Sequence, residues 1–501
     1  MREMMKKYIL ISYFVFHISC FFQNSSFAYN VVYINTFGGF QNDVCRNIET
    51  TNDGGFIMVG ATSSFGNNSS DIYLIKTNYK GEYEWSKMIG GKNIEWGYSV
   101  KQSADNGYII AGYTNSFGAG GYDVYIVKTD SIGKILWQKT YGGDEWDFAY
   151  SIVPTADNGY IICGETFSFG NENGDIYLLK INSTGDTIWT KTIGGKGKDA
   201  AHKIIITKEN DFIIVGETSS FGNGMSDVYL SKINSGGDIL WTKTFGGNKD
   251  DKGFSVTQTT DSGFVFAGSS TSFSSYGDKN EFVAKVNNNG LLLWEQTAYG
   301  YDSLDDEIQD IIELAKDSLL IVGYKNAKGR GKDAFAYIAN ADGVFDENKF
   351  FLYGGGLFDD FAYSVAKSNK NKYALVGNSY TYGVGKSDVM LVLLDSVTKF
   401  VDDKIIKVYN EIPAEINEYL VSGVKYQVYP NPSDGVFAIV VEKLQITNYK
   451  LQITNVLGQV VYQSASTSAH QQIDLSAHPS GVYFLQLQTT EGAVYRKLMK
   501  N

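Results

Sequence analysis

At 501 residues, with 54 glycines, 35 tyrosines, 30 phenylalanines and only 5 prolines, the chain has room for more than one domain. Its composition is that of many short strands joined by glycine turns, which excludes a largely helical or a disordered protein. The formal net charge of −12 weighs against nucleic acid and anionic membranes as partners and leaves cations and neutral glycans open.

The N-terminus has the pattern of a secretory targeting segment: residues 1–7 are basic, 8–22 largely apolar, and Ser26-Phe27-Ala28 is a small-x-small cleavage site. The apolar run falls short of the roughly 20 residues that a membrane span needs. Cleavage is expected after Ala28, because His17-Ile18-Ser19 is a poor match to the residues that precede a lipidated Cys20. No later stretch is apolar enough to predict a transmembrane segment. Residues 1–28 carry Arg2, Lys6 and Lys7 against Glu3, so the remainder is more acidic still. It keeps Cys45 and Cys163, in different repeats, which are read as buried thiols and not as a disulfide.

Repeats dominate the chain from residue 33 to residue 395. Gly-Gly pairs begin at Gly38, Gly90, Gly142, Gly194 and Gly246, each 52 residues after the last, with degenerate copies at Tyr299-Gly300 and Gly354-Gly355. Gly60, Gly112, Gly164, Gly216, Gly268, Gly323 and Gly377 hold one column in all seven copies. The third copy predicts four strands, a to d: Phe148–Thr155, Tyr160–Thr166, Ile176–Ile181 and Thr187–Ile193, separated by Asn/Asp/Gly turns. Four antiparallel strands at this period fit a propeller blade better than a helical solenoid. The seventh copy has a strand c, Val389–Leu394, but no strand d, whereas Tyr33–Gly39 matches the end of a strand d, Trp137–Gly143. The N-terminal strand is therefore expected to complete the last blade and close the ring, which removes an exposed sheet edge.

The fold class is thus all-β: a seven-bladed β-propeller over residues 29–395, a polar linker over 396–424 and a small β-sandwich over 425–501. Residues 105–128 and 157–180, of the form DNGYII-x-G-x-T-x-SFG, resemble the repeats of bacterial extracellular propellers. Trp85, Trp137, Trp189, Trp241 and Trp294 resemble the docking tryptophans of quinoprotein-type propellers. That resemblance implies a fold more firmly than an activity.

In the C-terminal segment, Tyr429-Pro430-Asn431-Pro432, Gly435, Asn455 with Gly458, Gly481 with Tyr483, and the terminal Arg496-Lys497 occur in order. Together they resemble the type A sorting domain of type IX secretion cargo. The resemblance implies three things: Sec passage, recognition by the type IX translocon, and removal of the domain by a sortase-like protease. The protein would then be attached to the outer cell surface or released.

Chemical signatures are sparse. An acid opens each strand a: Asp43, Glu95, Asp147, Asp199, Asp251, Asp306 and Asp360. A second set, Asp71, Asp123, Asp175, Asp227, Asn280, Asp333 and Asp388, closes the b–c loops on the same face. The first set is a candidate ring of oxygen ligands for Ca²⁺, but repetition in every blade favours carboxylates that lock their own turns. Lys76, Lys128, Lys180, Lys232 and Lys285 are read as inter-blade or solvent-facing structure. His202, the one propeller histidine after residue 28, replaces the tyrosine found at Tyr98 and Tyr150; it is the best single site candidate, although a variant core or rim residue is the favoured reading. No nucleophile elbow, metal-spaced His pair or Cys-x-x-Cys is present, so no catalytic residue is assigned. The diverging loops Ser272–Glu281 and Asn326–Asp333 point to blades five to seven for binding. The expected role is non-enzymatic binding or adhesion towards an unknown glycan or protein ligand. A polysaccharide-active hydrolase or lyase and a structural surface-layer component are the alternatives.

Overall fold

The computed structural model describes residues 32–500, apart from 67–68, 298–303, 316–317, 327–330, 354–357, 369, 371, 384–385, 395–403, 410–424, 430–434, 443–448, 456–458, 467–469 and 490–491. The targeting segment 1–28 lies outside these residues, as do Pro430, Asn431, Pro432 and Gly458. Six four-stranded antiparallel sheets and a seventh that borrows the N-terminal strand make up the repeat region. Blade three has Asp147–Pro154, Tyr160–Thr166, Asp175–Ile181 and Thr187–Ile193 as strands a to d. The acid is therefore the first residue of strand a, one position earlier than the apolar alternation indicates.

The seven a strands are Asp43–Thr50, Glu95–Gln102, Asp147–Pro154, Asp199–Ile206, Asp251–Gln258, Asp306–Ala315 and Asp360–Lys367. Each packs against the next, and the first packs against the last, so they line the centre of a closed ring. The closing strand Val32–Phe37 lies antiparallel to Asp388–Leu394, with Ile34 opposite Val392 and Phe37 opposite Val389. Across the same seam the Cys45 N–H donates to Asn378 Oδ1 at 2.9 Å and the Asp43 N–H to the Ser387 carbonyl at 2.9 Å. A further strand, Lys404–Tyr409, pairs in parallel with Val32–Phe37. The segment read as linker thus adds a fifth strand to the last blade.

The hydrophobic core is divided among the blade interfaces. Ile161, Cys163, Ile176 and Leu178 of blade three, for example, meet Ile204, Phe212, Ile214 and Tyr229 of blade four. Strands b and c are buried on both faces and read as near-continuous apolar runs. Cys45 and Cys163 are buried free thiols, and burial pushes the Cys45 thiol up to about 12. The tryptophans of strand d dock as the resemblance implies. A Cβ on Gly185, in the next blade's c–d turn, would lie 3.0 Å from the Trp137 ring, so only glycine lets that turn close over it. The lysines after strand c are within-blade structure: Lys128 Nζ meets Asp105 Oδ2 at 2.8 Å and Lys180 Nζ meets Asp157 Oδ2 at 2.7 Å, both acids lying in the a–b turn. Each is paired with a carboxylate of its own blade, because a buried ammonium needs one close by, and Lys232 also crosses to blade five, where its Nζ donates to Asn288 Oδ1 at 3.0 Å.

The C-terminal segment forms two sheets, Lys425–Tyr429, Val436–Glu442 and His470–Asp474 in one, Val460–Ser466, Tyr449–Asn455, Gly481–Thr489 and Gly492–Lys500 in the other. Phe437, Leu451, Ile453, Ile473, Leu485, Leu487 and Leu498 fill the space between them. This is the expected β-sandwich.

Candidate functional site

Six of the acids at the start of strand a are buried in their own loops, and Asp306 is half-buried. Asp147 Oδ2 accepts the Gly143 N–H at 2.8 Å and the Ser168 hydroxyl at 2.6 Å, and the Thr166 hydroxyl donates to Oδ1. Asp43 takes Gly39, Ser64 and Thr62 in the same way, and Asp251 takes Gly247, Ser272 and Ser270. Asp199 accepts from Gly195 and Ser220, Glu95 from Gly91 and Thr114, Asp360 from Ser379 and Thr381, and Asp306 from the Asn326 N–H. In Asp43, Asp147 and Asp251 both oxygens that a Ca²⁺ would need already accept from these donors, whereas among the described residues Asp199 Oδ1 has no hydrogen-bond partner. Among the described residues no group of three or more His, Cys, Asp or Glu is placed to hold a metal ion.

The two acidic sets meet at the Gly-Gly pairs. A Cβ on Gly142 would lie 2.4 Å from Asp123 Oδ1 and 2.6 Å from Asp147 Oδ2, so the glycine is squeezed between carboxylates of adjacent blades. Burial, and then the neighbouring negative charge of Asp147, raises Asp123 above the ordinary carboxylate range; Asp227 behaves likewise beside Asp251. Burial lifts Asp43 to about 6.

The third to fifth residues of each strand a behave differently. In all seven blades the pairing of strands a and b slips there, as between Ala149 and Ser151 or between Cys45 and Asn47. The fourth residue is the extra one in a β-bulge, and a bulge re-aims the side chain it carries. The bulge also explains the invariant glycine column. A Cβ on Gly164 would lie 1.8 Å from the Phe148 carbonyl oxygen, and one on Gly377 1.7 Å from that of Phe361.

The bulge residues are Arg46, Tyr98, Tyr150, His202, Phe254, Gln309 and Tyr363, all half-buried. They follow one another around the channel: ring centroids are 5.3 Å apart for Tyr98–Tyr150, 5.6 Å for Tyr150–His202 and 5.4 Å for His202–Phe254. The Arg46 guanidinium lies 5.7 Å from the Tyr98 ring and 4.3 Å from Tyr363. Further aromatics extend the surface towards the face that carries the b–c loops. Trp96 stacks with Tyr113 at 6.5 Å, and Trp146, Phe148 and Tyr122 continue it, with Trp146 52% exposed. His202 is one member of this unequal ring, between Tyr150 and Phe254.

Blades three to five add ionised groups behind this ring. Lys198 Nζ lies 3.5 Å from Glu165 Oε1 and 3.3 Å from Glu217 Oε1; Lys252 Nζ meets Glu217 Oε2 at 2.6 Å, and His202 Nε2 is 3.8 Å from Glu217 Oε1. Burial raises Glu165. For Glu217 burial acts in the same sense, but His202, Lys252 and Lys198 overcome it and hold the carboxyl far below its ordinary range. One residue further along strand a, Lys203 of blade four reaches past blade five to Asp310 of blade six at 2.5 Å. Asp310 Oδ2 also accepts the Ser364 hydroxyl and the Val365 N–H, both at 3.0 Å, so three blades are tied through one buried carboxylate. The loop asymmetry of blades five to seven is thus accompanied by a stronger one on inner strands of blades three to six. Sequence reasoning passed over Arg46, Lys203 and Asp310, whose signal was that the fourth and fifth positions of strand a change residue class from copy to copy, and over Glu165 and Glu217 of strand b.

In the C-terminal sandwich the motif residues lock turns. Asn455 Oδ1 accepts the Gln459 N–H at 3.0 Å, Tyr483 donates its hydroxyl to the Pro479 carbonyl at 2.6 Å, and Gly435, at φ +118°, leaves its carbonyl to the Leu475 N–H at 2.7 Å. Tyr429 and Lys497 pair through their backbones with Ala438 and Phe484, and Gly481 with Lys500.

Residues 427–501 match the family described as the secretion system C-terminal sorting domain. That match implies recognition by the type IX secretion machinery and a final location at the cell surface or outside the cell. No curated protein matches the chain. Among solved structures the chain is similar to the WD40 domain of Neurospora crassa Pan2, at 9% identity and TM-score 0.44 over 72% of this chain and 91% of that one. Sqt1 from Chaetomium thermophilum gives 10% and 0.41 over 70% and 81%, and a protein of unknown function from Dyadobacter fermentans gives 11% and 0.38 over 73% and 98%. Among the described residues no helix is long and apolar enough to cross a membrane.

Proposed function

We propose that the chain is a type IX cargo whose propeller is a non-enzymatic binding module, holding a glycan at the channel mouth on the face of the d–a and b–c loops. On this reading the targeting segment is cleaved after Ala28, and a sortase-like protease then removes the sorting domain and leaves the propeller anchored or released. The observation that carries the binding role is the bulge ring with its Trp96–Tyr113–Phe148 extension. Seven rigidly held positions differ in chemistry and offer flat aromatic faces beside cations, which suits stacking on sugar rings with a few polar contacts for orientation. Glu165 and Glu217 lend some support to a hydrolytic reading, since they share Lys198 and are pushed in opposite directions. At 3% and 4% exposure, however, they sit behind the ring and would not reach a bound sugar without rearrangement.

The test is retention of the full chain on a polysaccharide panel, with the eluted glycan sized afterwards. Retention at unchanged chain length is expected, and Tyr150→Ala should weaken it at least tenfold with little change in melting temperature. Shortened glycan would replace the binding reading by the hydrolytic one and direct mutagenesis to Glu165 and Glu217.

A further inference from the structure

The cations around the channel mouth fall into two groups. Lys198, Lys203, Lys252 and Lys279 each sit against a buried carboxylate. Arg46 and Lys332 do not. The Arg46 guanidinium rests on three aromatic faces, 4.3 Å from Tyr363, 5.4 Å from Trp96 and 5.7 Å from Tyr98, and its Nε is buried without a hydrogen-bond partner. Lys332 Nζ lies 4.7 Å from the Tyr324 ring and 5.7 Å from Phe361. These rings form one cluster, Tyr324–Phe361 at 4.9 Å and Phe361–Tyr363 at 5.7 Å. Among the described residues neither cation has an ion-pair partner. Glu307, whose charge acts on Tyr324 and Tyr363, is already held by Lys279 at 2.6 Å and by the Gln309 amide at 3.2 Å.

Apart from a hydrogen bond to the Tyr363 hydroxyl, the half-buried Arg46 guanidinium is met by ring faces, and its Nε–H is left without an acceptor. Aromatic faces stabilise the cation, but they cannot accept its N–H donors in the plane of the fork. Arg46 is also the exception in its column, where the other members are Tyr98, Tyr150, His202, Phe254, Gln309 and Tyr363. The planar fork of arginine matches a carboxylate through two parallel N–H···O bonds, a match that lysine cannot make.

We propose that the ligand of the channel mouth is an acidic polysaccharide, a uronate, whose carboxylate is taken by Arg46. In this arrangement Lys332 adds a second positive charge, and the Tyr98, Trp96 and Tyr363 faces border the same pocket. The assignment rests on the channel mouth being the glycan site, and it explains how a chain of net charge −12 holds an anion: the local cations are spared from internal pairing.

The experiment titrates the full chain with polygalacturonate oligomers and with the same oligomers fully methyl-esterified, at low and high salt. Binding of the acid form at least tenfold tighter than the ester is expected, with the difference shrinking in high salt. Arg46→Met and Arg46→Lys should each remove most of that preference, bringing the affinity for the acid form down towards that for the ester, and Lys332→Met should reduce it by a smaller factor. Melting curves check that the variants fold. Equal binding of acid and ester, unaffected by Arg46→Met, overturns the acidic-ligand assignment and leaves the channel-mouth reading standing. Loss of all glycan binding in wild type overturns both. Arg46-dependent binding of peptides with a free C-terminal carboxylate, without glycan binding, replaces the polysaccharide by a protein partner.

Discussion

The first and fourth positions of strand a lie within one short stretch of backbone and obey opposite rules. The first is an acid in all seven blades, buried in six of them, and each accepts hydrogen bonds from its own loop. The fourth is aromatic, cationic or amide by turns and faces the channel. The difference separates what a ring needs in every blade from what it can vary in one. Closure requires similar joints all round, so the acid repeats in every blade and the serine or threonine donors in six. Recognition requires unlike groups converging on one place, and a bulge supplies them without touching the joints.

Breaking the joint should cost far more stability than altering the ring. The largest effect is expected from Gly164→Ala, which drives a Cβ to within 1.8 Å of the Phe148 carbonyl and must undo the bulge of blade three. Urea unfolding should show a loss of about 3 kcal/mol or more, the upper end of overpacking costs. A small loss would mean that the bulge is not what imposes glycine there. Next comes Asp147→Ala, which strands the Gly143 N–H and the Thr166 and Ser168 hydroxyls in a buried loop. It should cost about 2 kcal/mol by the same measurement, whereas a loss below roughly 0.5 kcal/mol, the range of surface substitutions, would show that water satisfies those donors.

The smallest effect is a pH dependence that sets joint against surface. Asp43 is near 6 when folded against an ordinary 3.8, so its contribution to stability is present below about pH 4 and is lost as pH rises through 6. Asp157 and Asp261, held near 2 by lysines and turn donors, contribute above the ordinary carboxylate value and lose that contribution as pH falls towards 2. The melting temperature should therefore be higher at pH 5 than at pH 7.5, by about 2 °C, and fall again below pH 4. A melting temperature that climbs steadily to pH 7.5 would contradict the burial of the Asp43 joint.

Much of this was legible because the repeat samples each environment seven times. The four strands of blade three were readable to within a residue from alternation and Asn/Gly turns, and the ring closure from the match of Tyr33–Gly39 to Trp137–Gly143. The glycine column was visible, but its cause was not: a carbonyl swung over Gly164 by a slipped register has no local sequence mark. The charged cluster was hidden for a different reason. Glu165, Lys198 and Glu217 come from separate elements of two blades, and Lys203 and Asp310 are 107 residues apart with a whole blade between them. Only the closed ring brings them together. Arg46 was readable as an odd residue in its column, yet its missing counter-charge becomes visible only when its neighbours are in place.

The pairing of Val32–Phe37 with Asp388–Leu394 also sets a schedule. In a chain that emerges N-terminus first, the strand delivered earliest waits unpaired until the last blade arrives, and a contact spanning the whole repeat region is among the slowest to form. Lys404–Tyr409 follows at once and clamps the same strand, and the sorting domain comes immediately behind. Ring closure and presentation of the export tag thus fall at the same late moment. A chain cut short before residue 388 lacks both the partner strand of Val32–Phe37 and the sorting domain.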